Sequence, residues 1–381
     1  MSIVFNISAS VAAFALTAHL ASIAFAALHL RRRNSRNEAK APAATTLVRP
    51  LCGLETFTPE TLEASFRLEH PDHDLIFCVM DPNDPVAPLV RDAMARHPHV
   101  RARLLTGGAA RSGNPKLDNM EKGFAAATGE YVVFADSNLL VPPDYLTRVL
   151  ATFDASAGLV SAPPVGSAPD GAWSDIECAL LNTYAARWQY AVAFLGFGFA
   201  QGKTLAFRRK DLEAGGFDAL GSEPAEDAAA TKLARARGLK VRLVARPFPQ
   251  PIGFRTAGAV WSRHLRWARL RRATFPLLFA PEILSIMIAP GAAALAAAHA
   301  AALPLPPVAL AFAALWYVPE ALLARLAGWP LSWRSPLAFM ARDMLMLGLW
   351  CAAWTGSTFV WRGHAMTTSS GAAAARTHAS A

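Results

Sequence analysis

The chain has 381 residues, of which 53% are hydrophobic and 17% are charged, and its formal net charge is +9. This composition excludes collagen, coiled-coil and disordered proteins, and the four widely spaced cysteines exclude a disulfide scaffold and a zinc ribbon. The length and the apolar fraction also exclude a single soluble core, so we expect a soluble domain combined with membrane segments.

The first predicted element is an N-terminal transmembrane anchor over residues 1–30. From Ile3 to Leu30 the sequence has no Asp, Glu, Lys or Arg, and at about 1.5 Å per residue this stretch spans a hydrocarbon layer of about 30 Å. A cleaved signal peptide would carry basic residues before its apolar run, whereas here they follow it, in a basic linker over 31–44. The positive-inside rule therefore predicts a cytoplasmic linker and a cytoplasmic domain after it.

Residues 45–255 alternate short apolar runs with helical patterns, which is typical of an α/β sheet domain. Continuous apolar runs such as Tyr131 to Ala135 indicate strands covered on both faces of the sheet. The predicted strands are Thr45 to Pro50, Asp74 to Met80, Val100 to Leu105, Tyr131 to Ala135, Leu159 to Ala162 and Val241 to Ala245. The predicted helices are Pro59 to Leu68, Pro85 to Arg96, Leu117 to Ala127, Pro142 to Phe153 and Glu226 to Arg237.

Two of the predicted strands are followed by an acidic residue. Asp81 follows one strand and Asp136 follows another, and ligands of such sheets bind beyond the carboxyl ends of strands. In Asp136-Ser137-Asn138, the Asp136 carboxylate provides a hard oxygen ligand of the kind that Mg²⁺ or Mn²⁺ prefers beside a nucleotide diphosphate, and the amide at the third position supplies less negative charge than an acid would. Each Asp alone is also compatible with an ordinary turn.

A third acid, Asp227, lies in Ala225-Glu226-Asp227 at the start of a predicted helix. An acid at this position stabilises a helix N-terminus, which is one interpretation. The other is a general base, because a carboxylate held there would accept a proton from an acceptor hydroxyl. The sequence leaves both open.

Residues 256–274 form a predicted interface helix that carries Arg263-His264-Leu265-Arg266-Trp267. Arginines and tryptophans in this density suit a helix at the level of the lipid headgroups. The same guanidinium groups suit a leaving diphosphate, because Arg binds phosphate in a bidentate manner. Nucleic acid is not expected as a partner, since membrane segments adjoin this helix.

C-terminal membrane segments are predicted over residues 275–363, followed by a disordered tail over 364–381. The three segments are Leu277 to Leu303, Val308 to Leu326 and Pro336 to Val360. We therefore expect a multi-pass integral membrane protein, with a bacterial inner membrane as its location and the soluble domain on the cytoplasmic face. The number of C-terminal spans and the oligomeric state stay open.

Taken in order, Asp81, Asp136-Ser-Asn, Asp227 and the Arg263 to Trp267 motif resemble the D, D, D, (Q/R)xxRW series of membrane-bound inverting glycosyltransferases of the family 2 superfamily. Within that group the chain is similar to the ceramide glucosyltransferases of family 21, from about Val48 to His364. Local matches support this resemblance: Arg49-Pro50-Leu51-Cys52-Gly53, Cys78-Val79-Met80-Asp81, Asp84-Pro85, Gly113-Asn114-Pro115-Lys116, Asn119, Gly202-Lys203-Thr204, Arg208-Arg209-Lys210-Asp211-Leu212 and Ala280-Pro281-Glu282.

The resemblance implies an α/β GT-A nucleotide-sugar-binding domain between an N-terminal transmembrane helix and C-terminal transmembrane helices. On the donor side it implies a UDP-sugar with Mg²⁺ or Mn²⁺. Asp81 would contact the uridine, Asp136 would hold the metal that bridges the diphosphate, and Lys116 would be a further diphosphate contact. Asn138 departs from a full DxD motif.

On the acceptor side, the resemblance implies that Asp227 is the base that deprotonates the primary hydroxyl of ceramide. Arg263, Arg266 and Trp267 would line the acceptor mouth and hold the leaving UDP. The segment from Val165 to Phe199, where the acceptor should be recognised, gives no specific match. Its aromatic side chains would form a lipid-facing wall or part of a core: Trp173, Tyr184, Trp188 and Tyr190.

The implied reaction transfers a hexose, with glucose in first place, from a UDP-sugar to ceramide and gives a β-glycosylceramide. A hopanoid N-acetylglucosaminyltransferase or another lipid glycosyltransferase is an alternative that shares the same motifs. A processive polysaccharide synthase is a further alternative, although few spans are predicted for a translocation channel. The non-enzyme alternative is a transporter or scaffold whose α/β domain only binds a nucleotide.

Overall fold

The computed structural model describes residues 3–31, 43–109, 111–112, 114–213, 215–361 and 364–367. The strands are β1 (Thr45–Pro50), β2 (His73–Val79), β3 (Ala102–Thr106), β4 (Tyr131–Ala135), β5 (Ala157–Ser161), β6 (Pro164–Asp170), β7 (Thr204–Arg208), β8 (Lys240–Leu243), β9 (Phe248–Phe254), β10 (Thr358–Trp361) and β11 (His364–Thr367). The helices are α1 (Ile3–Arg31), α2 (Thr58–Ser65), α3 (Val86–Arg96), α4 (Pro115–Ala126), α5 (Tyr145–Leu150), α6 (Ala172–Ala179), α7 (Arg187–Phe194), α8 (Lys210–Glu213), α9 (Gly216–Leu220), α10 (Glu226–Ala236), α11 (Ala257–Thr274), α12 (Pro276–Phe279), α13 (Ile288–Ala300), α14 (Leu305–Ala327) and α15 (Ser335–Ala353).

The chain divides into two compact units. The sheet unit comprises Arg31–Val165, Leu195–Pro251 and Thr358–Ala381, and the helical unit comprises Met1–Leu30, Gly166–Phe194 and Ile252–Ser357. This division differs from the predicted α/β domain over 45–255, because Gly166–Phe194 belongs to the helical unit. Most of the predicted basic linker over 31–44 and most of the predicted disordered tail over 364–381 lie outside the described residues. The start of that tail forms β11, which pairs with β10 in an antiparallel hairpin.

The sheet unit is built on a mixed seven-stranded sheet with the order β3-β2-β1-β4-β7-β5-β8. Strands β1 to β4 pair with one another in parallel, whereas β7 is antiparallel to both β4 and β5. Both β1 and β4 have the predicted bounds, and the α/β class is confirmed. The sequence analysis missed β7, because it is short and its place in the sheet depends on pairing with the distant β4.

Apolar side chains on both faces of this sheet form the core of the unit. Phe77 and Val133 are fully buried, and they belong to one hydrophobic cluster with residues of α3 and α5. Helix α4 packs on β1 and β2, and Gly123 allows this close packing. A Cβ at Gly123 would lie 2.3 Å from Val48 Cγ1, so a larger residue would push the helix away from the sheet. The core therefore fixes α4, whose first turn faces the carboxyl ends of the parallel strands.

A buried arginine fixes the loop that follows β4. Arg49 on β1 is 1% exposed, and its Nη2 donates to the backbone oxygens of Asp136, Ser137 and Leu139 at 2.8, 3.0 and 3.0 Å. Its Nη1 donates to Thr61 O on α2. Burial lowers the pKa of Arg49 to about 10. The planar guanidinium thus joins the first strand to the loop that carries Asp136.

We expect Arg49→Lys to loosen this loop, because an ammonium group cannot donate to the same set of carbonyl oxygens. The predicted loss is about 1–3 kcal/mol in the free energy of unfolding, with faster hydrogen exchange at the Leu139 amide, which donates to Asp136 O. Thermal unfolding in detergent and hydrogen-exchange mass spectrometry measure these effects. Arg67→Lys is the control, since the Arg67 side chain is 67% exposed. Equal effects of the two substitutions would contradict the assigned role of Arg49.

The helical unit contains the apolar helices that are long enough to cross a membrane. Among the described residues these are α1, α14 and α15, and a fourth candidate is the pair formed by Pro276–Ser285 and Ile288–Ala300, which is bent by 52°. The predicted N-terminal anchor coincides with α1. The first predicted C-terminal segment, Leu277 to Leu303, is therefore interrupted rather than continuous. The third, Pro336 to Val360, is shorter than predicted, because α15 ends at Ala353 and β10 follows.

A long helical run that the sequence analysis did not predict also belongs to the helical unit. It begins with α6, continues through a π-helical turn at Leu180–Ala186 and ends with α7. The acids Asp175 and Glu177 and the base Arg187 interrupt its apolar pattern and obscured it. Of its aromatic residues, Tyr190 is fully buried and its ring contacts the ring of His29 on α1. At this position the aromatic side chain is part of a core.

Opposite charges are buried together within the helical unit. Arg342 on α15 is 1% exposed, and its Nη1 lies 2.7 Å from Glu320 Oε2 on α14 while its Nη2 lies 2.8 Å from Asp343 Oδ1. The same Nη1 donates to Thr183 Oγ1 at 2.7 Å. Arg187 on α7 lies 3.7 Å from Glu320 Oε1. The cluster joins three helical segments through charges that are costly to bury unless they are paired.

We expect Arg342→Ala to destabilise the protein strongly, because it leaves the Glu320 and Asp343 carboxylates buried without their main cation. Removal of one partner from a buried pair costs about 3–5 kcal/mol. The measurement is the midpoint of thermal unfolding in detergent, compared with Arg325→Ala on the exposed face of α14. A midpoint for Arg342→Ala that equals the midpoint for Arg325→Ala would show that the cluster does not stabilise the unit.

Candidate active site

The antiparallel pairing of β4 and β7 brings Asp136 and Lys203 together. Ala135 at the end of β4 is paired with Thr204 at the start of β7, so the residue after β4 lies beside the residue before β7. The Asp136 amide donates to Lys203 O at 3.1 Å. The two residues are 67 positions apart in the chain, which is why no local pattern revealed the contact.

The Lys203 ammonium group contacts both polar side chains of the Asp136-Ser137-Asn138 motif. Its Nζ lies 2.6 Å from Asp136 Oδ2 and 2.7 Å from Asn138 Oδ1. Lys203 is 9% exposed, and burial lowers its pKa. Asn138 also donates from Nδ2 to Glu55 Oε2 at 3.3 Å. The motif is therefore ordered around a protein cation.

Lys116 reaches the same carboxylate from the first turn of α4. Asn114 caps this helix, and its Oδ1 accepts from the Lys116 amide at 3.1 Å. The Lys116 Nζ lies 2.7 Å from Glu226 Oε1 and 3.4 Å from Asp136 Oδ1, and it donates to Gly202 O at 2.8 Å. Burial alone would lower the pKa of Lys116, but the Asp136 and Glu226 carboxylates raise it above its ordinary value. Lys116 is therefore held as a cation.

Asp227 lies in the first turn of α10, beside this cluster. Its Oδ2 accepts from the Gly202 amide at 2.8 Å and its Oδ1 from the Ala228 amide at 2.7 Å. Ala225 is the N-cap residue of α10 and its side chain makes no cap, whereas Asp227 lies in the first turn and accepts from the Ala228 amide of that turn. Stabilisation of the helix N-terminus therefore stays open as an interpretation of Asp227 beside that of a base. Burial and then the Glu226 carboxylate raise the pKa of Asp227 to about 6. A carboxylate with this pKa has the properties of a general base near neutral pH.

Gly202 lies where these groups converge. A Cβ at this position would lie 2.9 Å from both Glu226 Oε1 and Lys116 Nζ, and 3.5 Å from Asp227 Oδ2. Its backbone also donates to Asp227 and accepts from Lys116. The Gly202 backbone thus connects Asp227, the predicted base, with Lys116, the predicted diphosphate contact.

The fourth predicted residue of the sheet unit, Asp81, follows β2 at the same sheet edge. Asp81 is exposed, and its Oδ1 accepts from the Asn83 amide at 2.8 Å. This contact is the ordinary turn interaction that the sequence left open for Asp81, while the Asp84 carboxylate accepts from the distant Gly53 amide. Asp81 is therefore accessible for a ligand, although it takes no part in the cluster around Asp136.

A divalent ion does not fit the Asp136 site as the side chains are arranged. The carboxylate of Asp136, the predicted ligand, and the amide oxygen of Asn138 both contact the Lys203 ammonium group. A divalent ion in this place would have to displace that cation. Among the described residues, no group of three or more His, Cys, Asp or Glu side chains is arranged to hold a metal. Binding of Mg²⁺ or Mn²⁺ by Asp136 stays a prediction.

The RxxRW motif lies on α11 in the helical unit. Arg263 Nη1 donates to Glu177 Oε1 at 2.6 Å, and Arg255 Nε lies 3.4 Å from Glu177 Oε2. Burial would raise the pKa of Glu177, but the His264 ring, 3.6 Å away, and the charges of both arginines lower it to about 2. The Glu177 carboxylate therefore holds Arg263 in place, a role that the sequence analysis missed.

The other two residues of the motif lie on the same helix. The Trp267 ring makes an edge contact with the His264 ring, with 5.0 Å between the ring centroids, and packs against a cluster of Cys178, Leu181 and Ile252. Arg266 is half-buried. The motif thus lies on a part of α11 that packs against neighbouring side chains.

The structure brings together three of the predicted site residues, Lys116, Asp136 and Asp227, in one charge cluster. Lys203 and Glu226 complete this cluster. Both residues lie within motifs of the sequence, Gly202-Lys203-Thr204 and Ala225-Glu226-Asp227, but no role was predicted for either. Their roles depend on the Asp136–Lys203 and Lys116–Glu226 contacts, which join distant parts of the chain. The motifs alone could indicate the residues but not these pairings.

Comparisons with known proteins identify the family of the chain. A sequence model described as glycosyl transferase family 21 matches residues 14–374. Ceramide glucosyltransferase 1 of Caenorhabditis elegans is 26% identical over 249 residues, which are 65% of this chain and 53% of that protein. Ceramide glucosyltransferase 3 of the same organism is 24% identical over 77% of this chain and 65% of that protein. The chain thus matches between half and two thirds of the length of these curated relatives.

A solved structure supports the fold. The mannosyltransferase PcManGT from Pyrobaculum calidifontis, in complex with GDP-Man and Mn²⁺, superposes with a TM-score of 0.52 at 20% identity. The superposition covers 90% of this chain and 99% of that chain. The sheet unit has the GT-A fold, as predicted, and the apolar helices of the other unit are those of a membrane-associated protein. The family match extends over most of the sequence, and the chain belongs to glycosyl transferase family 21.

Proposed function

We propose that this protein transfers a hexose from a UDP-sugar to the primary hydroxyl of a membrane lipid, with inversion at the anomeric carbon. Glucose is the proposed sugar and ceramide the proposed acceptor, because the curated relatives are named ceramide glucosyltransferases. The proposal extends the membership of family 21 to a specific donor and acceptor.

The observation that carries the proposal is the placement of Asp227 next to a cation cluster at the carboxyl edge of the sheet. Lys116 bonds to Gly202 O, and the Gly202 amide bonds to Asp227. Gly202 thus connects Asp227, the proposed proton acceptor, with Lys116, the cation proposed to bind phosphate. Glycosyl transfer with inversion needs these two elements, a base for the acceptor hydroxyl and positive charge for the leaving diphosphate.

In the proposed step, the acceptor oxygen attacks the anomeric carbon while its proton moves to the Asp227 carboxylate. The bond between the anomeric carbon and the diphosphate oxygen breaks, and its electron pair stays on that oxygen. The Lys116 ammonium group stabilises the negative charge that develops there. Attack from the face opposite the diphosphate gives a β-glycoside.

The remaining predicted residues keep their roles as part of the proposal. Asp81, exposed at the sheet edge, would accept a hydrogen bond from the uridine. Arg263, Arg266 and Trp267 would bind the acceptor and the leaving UDP, since Arg recognises phosphate and Trp packs against lipid. The Glu177 carboxylate orients Arg263 for this task.

We also propose a cytoplasmic location for the sheet unit, on the inner membrane of a bacterium. The basic residues that follow α1 support it: Arg31, Arg32, Arg33, Arg36 and Lys40. Excess Lys and Arg beside a span mark its cytoplasmic end. A membrane-bound lipid acceptor is consistent with the apolar helices of the helical unit.

The family resemblance predicts a divalent ion, Mg²⁺ or Mn²⁺, at Asp136. When bound, such an ion would act as a Lewis acid on the diphosphate. Because the Lys203 ammonium group contacts the predicted ligands, no step of the proposed reaction is assigned to an ion.

The test is an assay of the purified protein in detergent with a panel of radiolabelled UDP-sugars. Ceramide, bacteriohopanetetrol and diacylglycerol serve as acceptors, with and without Mg²⁺ or Mn²⁺. We expect label in the lipid extract from UDP-glucose with ceramide. Label only on the hopanoid would replace the proposed acceptor and retain the chemistry. Absence of lipid label with every pair would contradict a lipid glycosyltransferase and favour the polymer or non-enzyme alternatives.

The pKa of Asp227 predicts how activity depends on pH. Because the base must be ionised, kcat/KM should fall as the pH decreases through about 6, by about tenfold per pH unit below it. In Asp227→Asn this acid limb should disappear, and kcat should fall by roughly two to four orders of magnitude. Steady-state rates between pH 4.5 and 8, a range that spans roughly two pH units around the pKa, measure both effects.

Asp218→Asn is the matched control, since Asp218 is an exposed acid in the first turn of the neighbouring helix α9. This control should keep both the rate and the acid limb. Asp227→Asn should still bind UDP, at least as tightly as the wild type because a nearby negative charge is removed, and should still unfold cooperatively. These two readouts separate lost chemistry from lost folding. An Asp227→Asn protein with the rate and pH profile of the wild type would exclude Asp227 as the base.

A further inference from the structure

We propose that Lys203 is a diphosphate-binding residue that takes the place of a divalent ion at the Asp136-Ser137-Asn138 motif. With Lys116 it would supply the positive charge that the UDP-sugar requires, so that donor binding does not depend on Mg²⁺ or Mn²⁺. This inference rests on the proposed function, and it concerns the donor side of the same site.

The position of the ammonium group is the first observation. Lys203 Nζ lies between Asp136 Oδ2 and Asn138 Oδ1, at 2.6 and 2.7 Å. The first of these oxygens belongs to Asp136, the predicted ligand of a divalent ion, and the second belongs to the amide at the third position of the motif. The site therefore already holds a cation, the Lys203 ammonium group, which belongs to the protein itself.

Burial and anchoring are the second observation. Lys203 is 9% exposed and its backbone oxygen accepts from the Asp136 amide, so both ends of the residue are attached to the loop after β4. That loop is held in turn by the buried Arg49. A preorganised cation of this kind needs little rearrangement when a charged ligand binds.

The charge balance of the cluster is the third observation. The Lys116 Nζ lies 3.4 Å from Asp136 Oδ1, and the Lys203 Nζ lies 2.6 Å from the other carboxylate oxygen, Oδ2. Two ammonium groups thus flank one carboxylate. An ammonium group has three N–H donors, and Lys203 uses two of them for Asp136 and Asn138. The third is available for a phosphate oxygen.

A divalent ion would meet an unfavourable environment at the same place. It would lie within a few ångströms of two buried ammonium groups, whose repulsion is weakly screened away from water. Its two protein ligands would have to leave Lys203 first. In the transfer step, the negative charge that develops on the diphosphate oxygen would instead be stabilised by the third N–H of Lys203 and by the positive charge of Lys116, whose own N–H groups contact Glu226, Asp136 and Gly202. The protonation of both lysines stays the same.

The first measurement is binding of UDP to the full-length protein in detergent with excess EDTA, by titration calorimetry. We expect binding by the wild type and affinity lower by about tenfold or more in Lys203→Gln, since a charged hydrogen-bond partner is lost. Lys203→Arg keeps the charge and should recover most of the affinity. Lys240→Gln, an exposed lysine on the edge strand β8, is the matched control and should bind as the wild type.

The second measurement follows the electron paramagnetic resonance signal of free Mn²⁺ during titration of the protein. We expect the wild type to leave the signal unchanged. Lys203→Gln should reduce it, because removal of the ammonium group frees the oxygens of Asp136 and Asn138 for the ion. A wild type that binds UDP only with Mn²⁺, and that binds Mn²⁺ as well as Lys203→Gln does, would overturn the proposal.

The third measurement is turnover in EDTA, with the donor and acceptor found in the assay of the proposed function. We expect wild-type turnover within a few fold of that with Mn²⁺, and a loss in Lys203→Gln on the order of a hundredfold. Turnover that stops in EDTA for the wild type, or that is equal in Lys203→Gln, would overturn the proposal. If no donor and acceptor pair reacts, the proposed function fails, while UDP binding and the Mn²⁺ signal still decide the role of Lys203.

Discussion

The site depends on one physical constraint, the pairing of charges at the carboxyl edge of the sheet. An unpaired charge is costly to bury, so Lys116 and Lys203 can enter this edge only beside carboxylates. Asp136 serves both lysines, and Glu226 provides a second partner for Lys116. The antiparallel β4–β7 pairing places Lys203 there. The sheet topology and the pairing of charges thus both place Lys203 beside Asp136.

Each unit positions its functional side chains through a buried charge. In the sheet unit, the Arg49 guanidinium holds the loop after β4 through three backbone oxygens. In the helical unit, the Glu177 carboxylate holds Arg263 and Arg255. In both cases the buried residue supports others that are less buried. Rigid support of this kind keeps charged groups in place before a ligand binds.

The sequence was sufficient for the elements whose signals are local. The apolar run of β4 and the helical pattern of α10 predicted their positions, and the motif order predicted that Lys116, Asp136 and Asp227 belong to one site. The role of Lys203 could not be predicted, because it follows from pairing between strands that are far apart in the chain. The helix over α6 and α7 was missed for a different reason. Its charged residues resemble those of a soluble segment, and their partners lie on other helices.

The base and the donor-binding groups share one electrostatic balance. Burial and the Glu226 carboxylate raise the pKa of Asp227, whereas the Lys116 ammonium group lowers it. Lys116 itself stays charged because Asp136 and Glu226 surround it. A diphosphate bound to Lys116 adds negative charge near Asp227 and so increases the proton affinity of this carboxylate. In the proposed reaction, donor binding would therefore make the Asp227 carboxylate a stronger base when the acceptor hydroxyl must lose its proton. This coupling depends on the position of Lys116, which lies between Asp136 and the Gly202 segment that contacts Asp227.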